Sequence, residues 1–260
     1  MFPSAFEYYT PTSLLDAVRL LGSGNKVIAG GHSLLPLMKL RLAEPAGLVD
    51  IRRVPGLDGI AESGGVIHVG ARATYAAIMD SAVLQAKAPL LCETAARIGD
   101  LQVRNRGTIG GSLAHADPAG DLPAAILALD AELVATGPGG ERTIPAGSFF
   151  TGMLSTALSA NEILTEIRVR PLPPRTGTCY QKFPHPASRY ALVGVAAVIT
   201  LGNDGTVAQA AIGVTGLADH AFRATAAEQA LLGKAPDQAS ARAAAVLVDQ
   251  GQDALGDIHA

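Results

Sequence analysis

Two short passages hold the residue types that could do chemistry in this chain. In the first, paired glycines and polar groups, Gly30, Gly31, His32 and Ser33, interrupt an apolar run of Val27, Ile28 and Ala29. In the second, the hydroxyls of Thr108 and Ser112 flank Gly110 and Gly111. A diphosphate needs several donors converging on it, and backbone N–H groups converge only where no Cβ intervenes and φ can be positive. Glycine pairs supply that freedom, and Ser33, Thr108 and Ser112 add hydroxyls. A helix or turn beginning near Leu34 would point its positive end at the same anion. One Gly-Gly pair alone reads as a tight turn. Two passages with the same chemistry point to one dinucleotide held at its phosphates by both. Neither G-x-G-x-x-G opening a helix after a strand nor G-x-x-x-x-G-K-[ST] is present, so the binding mode is neither Rossmann nor P-loop.

His115, Asp117 and Asp121 follow the second passage at once. Their spacing invites a metal, but no second group of ligands stands out to complete a site, and no metal is expected. Asp121 suits a ribityl or ribose hydroxyl, which donates to it. It equally suits an N-cap of the segment LPAAILALD, with Pro123 in the first turn, and one residue could serve both roles. Tyr190, between a proline-rich turn and an apolar strand, could stack on a flat ring or simply close a core edge. Cys92 reads as core and His68 as a strand-surface residue.

The elements that must position these residues read as α+β. A helix over 13–21 is capped by Thr12 or Ser13 and stopped by Gly22, and strands at 26–29 and 48–51 flank the first glycine pair. A strand at 64–71, helices at 74–79 and 89–98, a hairpin around GPGG at 137–140 and an alternating strand ending at Pro171 follow. After PLPPR at 171–175 come three strands, then alanine-rich helices at 221–233 and 238–249.

Bulk composition narrows the function. With 260 residues and 48% hydrophobic side chains the chain can bury a sizeable core. A net charge of −3 without a basic patch argues against nucleic acid. Two distant cysteines, Cys92 and Cys179, cannot hold an iron–sulfur cluster or a Cys₄ zinc site, and they fit a reducing compartment. The N-terminus lacks a signal-peptide pattern and no apolar stretch is long enough for a transmembrane helix, so a cytoplasmic location is expected.

Taken together, FEYYTPTSLLDAVRLL, AGGHSLLPLMKLRL, GTIGGSLAHADPAGDLPAA, NEILTEIRV and KFPHPASRYALVGVAA resemble the FAD-binding (medium) subunit of molybdenum hydroxylases. That family includes the carbon monoxide and xanthine dehydrogenases, and the resemblance covers nearly the whole chain. It implies a vanillyl-alcohol-oxidase-type (PCMH-type) fold, with a small FAD-binding subdomain at 1–55, a larger one at 56–173 and a C-terminal α+β domain at 174–260. It implies that Ala29, Gly30, Gly31, His32 and Ser33, with Val27, Ile28 and Leu34 beside them, grip the FAD diphosphate together with Thr108, Ile109, Gly110, Gly111 and Ser112. Asp121 would hold ribityl or adjoining hydroxyls, Ile98, Leu164 and Lys182 would line the flavin, and Tyr190 would shield its ring.

The resemblance also implies an electron-transfer role. Partner chains would supply a molybdenum-pterin cofactor in a large subunit and two [2Fe–2S] clusters in a small one, commonly as a dimer of heterotrimers. The alternative is a free-standing flavin oxidase with FAD bonded covalently to His32. HPASRYALVG departs from the K-x-G-D-Y-A-T pattern of carbon monoxide dehydrogenases, so carbon monoxide does not follow as the substrate. Relatives continue beyond GDIHA through another helix, so the last element is expected to be trimmed.

Overall fold

In the computed structural model, which describes residues 2–256, local chemistry sets the first elements. Ser13 Oγ accepts the Asp16 N–H at 3.1 Å and starts α1 (Leu14–Arg19), and the following 3-10 turn ends at Gly24 with φ of 76°. α1 joins β1 (Glu7–Tyr9) to β2 (Lys26–Ile28), and α2 (Leu34–Lys39) joins β2 to β3 (Gly47–Asp50). Parallel strands need such crossovers, and these three form a parallel sheet in the order β1-β3-β2. Ala17, Val18, Leu21, Val49 and Ile51 make its core. The strand β1 was not legible in the sequence, because EYY carries no apolar alternation.

A five-stranded antiparallel sheet follows. β4 (Ile60–Ser63) and β5 (Val66–Gly70) turn at Gly64 and Gly65, both at positive φ. After a run of helices come β6 (Glu132–Gly137), β7 (Gly140–Pro145), the short pair β8 (Phe150–Gly152) and β9 (Ser155–Thr156), and β10 (Ile163–Val169). β10 takes the centre, in the order β4-β5-β10-β6-β7. A bulge falls between Leu164 and Glu166, and the carbonyl of the intervening Thr165 accepts the Ala71 N–H at 2.9 Å.

The helices between β5 and β6 are α3 (Tyr75–Asp80), α4 (Ala82–Lys87), α5 (Pro89–Ala96), α6 (Leu101–Arg106), α7 (Ile109–His115) and α8 (Asp121–Ala128). Pro89 sits in the first turn of α5, as expected. The expected helices did not include α6, whose sequence LQVRNR buries no residue and so offers no apolar face to read. All eight residues of α8 are buried, and it packs against α5 on one side and the last sheet on another.

That last sheet is an antiparallel meander of β11 (Thr176–Pro184), β12 (Ala191–Leu201), β13 (Val207–Thr215) and β14 (Phe222–Arg223), followed by α9 (Thr225–Leu231) and α10 (Gln238–Ala245). The helix expected from residue 221 begins four residues later, because Phe222 first pairs with Val214 as a strand. Its buried Tyr180, Ala196 and Val198 belong to the same core as the five-stranded sheet. The chain's end beyond residue 256, where a trimmed element was expected, lies outside the described residues. Among the described residues no helix is long and apolar enough to cross a membrane.

β13 rides directly on the backbone of α8, since a Cβ added at Gly213 would strike the Ala124 carbonyl. Gly213→Ala should therefore cost about 1–3 kcal/mol of stability through overpacking. A denaturant titration checks this; an unchanged midpoint would mean that the meander is not seated on α8.

Candidate functional site

One cleft of about 1030 Å³, at the upper end of small-molecule sites, brings the two glycine passages together. Val27, Ile28, Ala29, Gly30, Gly31, His32, Ser33 and Leu34 line it from the parallel sheet, and Thr108, Gly110, Gly111, Ser112 and Leu164 line it from the other side. The two glycines of the first passage do different work. A Cβ on Gly30 would strike the Arg106 carbonyl, so only glycine allows this turn to lie against the end of α6. Gly31 has φ of 76°, a left-handed conformation that side chains rarely adopt. The turn is closed by Leu35 N–H donating to Gly31 O at 3.1 Å. Among the described residues the N–H groups of Gly31, His32 and Ser33 meet no acceptor in the chain, and all three residues line the cleft. His32 Nδ1 lies 3.2 Å from Gly30 O, which ties the ring to its own turn.

The second passage works differently from the expectation. Ile109 N–H donates to Ala73 O at 3.0 Å, Gly110 N–H to Ala71 O at 2.8 Å and Ser112 N–H to Thr108 O at 3.0 Å. Thr108 Oγ1, as the N-cap of α7, accepts the Gly111 N–H at 3.1 Å. These amides are occupied before any ligand arrives. Gly110 is required because a Cβ there would lie 2.5 Å from the Ala71 Cβ, not because it bares an N–H. Ile109 is fully buried in the core and does not line the cleft. What this passage retains for an anion is hydroxyl chemistry: Thr108 can still donate its proton, and Ser112 hydrogen-bonds the buried Tyr75. Burial pushes the Tyr75 phenol up to about 12, so it stays protonated.

Asp121 is not the cap of α8; that position belongs to Gly120, and the carboxylate turns sideways. Its Oδ1 accepts from Tyr180 Oη at 2.5 Å and its Oδ2 from Lys182 Nζ at 2.9 Å. Both side chains of the Asp121–Lys182 pair are nearly inaccessible. Burial pushes the Asp121 carboxyl above its usual range, opposed by the Lys182 charge and by hydrogen bonds from Tyr180 and Lys182. Burial also raises the Tyr180 phenol, and the Asp121 charge adds to it. Lys182 Nζ reaches Arg97 O at 3.3 Å as well. Tyr180 is a site residue that no motif marks; residues two apart on one strand share a face, so a strand carrying Lys182 toward α8 must carry Tyr180 there too. A Cβ on Gly194 would collide with the Tyr180 hydroxyl, so the neighbouring strand is cut to fit it.

Ile98, Asp121, Lys182 and Tyr190 do not line the large cleft. Ile98 packs partly buried against the core, and Tyr190 is 46% exposed. Burial and the charges of Asp117 and Asp121 raise the Tyr190 phenol. Among the described residues no group of three His, Cys, Asp or Glu could hold a metal; His115 Nε2 and Asp117 Oδ2 are 3.9 Å apart.

These features define an α+β protein with a dinucleotide-sized cleft closed by one glycine-rich turn of the parallel sheet and by the glycine-bearing start of helix α7. Residues 4–173 match the FAD binding domain in molybdopterin dehydrogenase, and residues 178–260 match the CO dehydrogenase flavoprotein C-terminal domain. The carbon monoxide dehydrogenase medium chain of Hydrogenophaga pseudoflava is 44% identical over 99% of this chain and 92% of its own length. The alpha subunit of the 6-hydroxypseudooxynicotine dehydrogenase complex of Paenarthrobacter nicotinovorans is 39% identical over 100% of this chain and 88% of its own. A solved structure of the Hydrogenophaga pseudoflava carbon monoxide dehydrogenase superposes with a TM-score of 0.95 at 45% identity, covering 99% of this chain and 91% of that one. The chain belongs to the FAD-binding subunits of the carbon monoxide dehydrogenase and xanthine dehydrogenase type, an oxidoreductase family whose cofactor in this domain is FAD.

The residues present fit that cofactor: free amides and hydroxyls for the diphosphate, and Leu37, Leu158, Ile163 and Leu164 as apolar wall. Gly30→Ala should lower FAD occupancy about tenfold or more, because it prises the turn from α6 and misplaces its donors. Gly110→Val should instead cost about 1–3 kcal/mol of stability through overpacking against Ala71. The ratio of flavin to protein absorbance and a melting curve separate the two; full loading of Gly30→Ala would refute the first.

Proposed function

We propose that this chain is the FAD-carrying electron-transfer subunit of a molybdenum hydroxylase. It takes electrons from [2Fe–2S] clusters of a small partner subunit, which receives them from a molybdenum-pterin site in a large one, and passes them to an external acceptor. The observation that carries this is the convergence of both glycine passages on one cleft. When bound, FAD supplies the redox chemistry, and the protein supplies position and environment. In this reading Gly31, His32 and Ser33 offer their amides to the diphosphate, and Thr108 and Ser112 offer hydroxyls. Val27, Ile28, Ala29 and Leu34 shape the wall beside them, Gly30 and Gly110 permit the close packing, and Ile109 acts from the core. Asp121, held by Tyr180 and Lys182, accepts from a cofactor hydroxyl, Ile98 and Leu164 flank the flavin, and Tyr190 covers it.

We divide the chain into a small FAD-binding subdomain (1–55), a larger one (56–173) and a C-terminal domain (174–260). Only two cysteines, Cys92 and Cys179, are present, so the iron–sulfur relay must come from another chain. The assembly we expect is a cytoplasmic dimer of heterotrimers. The free-standing oxidase with FAD covalently held at His32 is not favoured, because the relatives of known name are subunits of larger dehydrogenases. The relatives differ in substrate, which fits a division of labour in which the oxidised compound binds elsewhere in the complex.

Acid precipitation should release one FAD per chain into the supernatant, identified by chromatography. Finding FMN, no flavin, or colour retained on the pellet contradicts this reading.

A further inference from the structure

A second cavity of about 600 Å³ lies between the end of α5, the start of α6 and the turn after β11. Its wall presents Arg97, Arg104, Lys182 and Arg189 against a single carboxylate, Asp100, in a chain whose net charge is −3. Asp100 is already engaged as the N-cap of α6, accepting the Val103 N–H at 2.9 Å. Lys182 is engaged with Asp121. Among the described residues Arg97, Arg104 and Arg189 make no ion pair.

The fold anchors the Arg104 guanidinium and the backbone from which Arg189 projects. Arg104 Nη1 donates to Ile98 O at 2.9 Å and Gly99 O at 3.3 Å, while its Nε is a buried donor without an acceptor. An orphaned buried donor is costly, so a guanidinium kept this way points to a missing counter-charge. Arg189 sits at φ of 63°, a conformation unusual for a side-chain-bearing residue. The turn that imposes it is closed by Arg189 N–H to His185 O at 2.9 Å and His185 N–H to Tyr190 O at 2.8 Å. Like charges gathered in a concave wall repel one another and focus the field on whatever anion enters. Guanidinium groups pair bidentately with phosphate oxygens, and the cavity is larger than one phosphate would fill.

We propose that this cavity binds a small diphosphate-bearing molecule, distinct from the dinucleotide of the large cleft, with Arg97, Arg104 and Arg189 as its anion ligands. Lys182 lines this cavity and pairs with Asp121, so the ligand would be anchored next to the flavin's environment. That meaning, an anchoring site for an anionic electron acceptor, rests on the FAD reading above; the anion site itself does not.

The test is calorimetric titration of the FAD-loaded full chain with inorganic pyrophosphate, at about 0.05 M and about 0.3 M salt. One saturable site per chain is expected, weaker at the higher salt and weakened about tenfold in Arg97→Ala and in Arg189→Ala, each losing a charge-assisted contact. Gly31→Val, which disturbs the large cleft, should leave this binding unchanged even where FAD is lost, so failure of the FAD reading remains distinguishable. The proposal falls if no saturable binding is found, or if Gly31→Val abolishes binding while the arginine variants do not, which would put the anion in the large cleft. It falls equally if the isolated chain binds pyrophosphate but the complex assembled with its partner subunits does not, which would mean that a partner's side chains fill the cavity.

Discussion

The contact on which the rest of the site depends is made without side chains. The Gly30 backbone lies against the Arg106 carbonyl and the Gly107 Cα so closely that no Cβ fits. Gly107 in turn lies against the ring of Tyr75 and has no room for a Cβ either. A turn of the small parallel sheet thus meets the end of a helix in the helical layer, and the cleft is the space beside that meeting. Side-chain contacts at the same place would hold the two parts several ångströms further apart. The approach of backbone to backbone sets the width of the cleft, and therefore the size of what fits it.

The two sides of the cleft are unequal partners. Around residues 109–112 every amide is bound within the protein, so this wall is rigid and presents hydroxyls. Around 31–33 the amides are unbound and the turn is held mainly by its glycines and by the start of α2. A rigid reference wall facing a donor-rich turn lets a ligand's phosphates order one side without deforming the other, which limits the entropic cost of binding. The buried cluster of Asp121, Tyr180 and Lys182 extends the rigid side toward the C-terminal meander, so that sheet takes part in shaping the site's environment.

Much of this was legible in sequence, for identifiable reasons. The two glycine passages were readable because a bare backbone between regular elements has few purposes, β10 because its residues alternate with period two up to a closing proline, and β12 because it is a long apolar run bounded by turns. The role of Gly110 was misread, since sequence shows that a Cβ is absent but not which neighbour its absence accommodates. Asp121 looked like a cap because it stands one residue past the true cap; only the arrival of Tyr180 and Lys182, 59 and 61 residues away, decides its direction. β1 and β14 depend on pairing with distant strands and carry no pattern of their own.

The central claim is that the first glycine turn supplies amides to the cofactor while the second is already satisfied. Amide hydrogen exchange on the chain with and without FAD tests it most directly, because exchange reports whether each N–H gains a partner. Protection should rise strongly at Gly31, His32 and Ser33 on loading, with residues 109–112 already protected and little changed. Unchanged exchange at 31–33, or a gain confined to 109–112, would contradict the account.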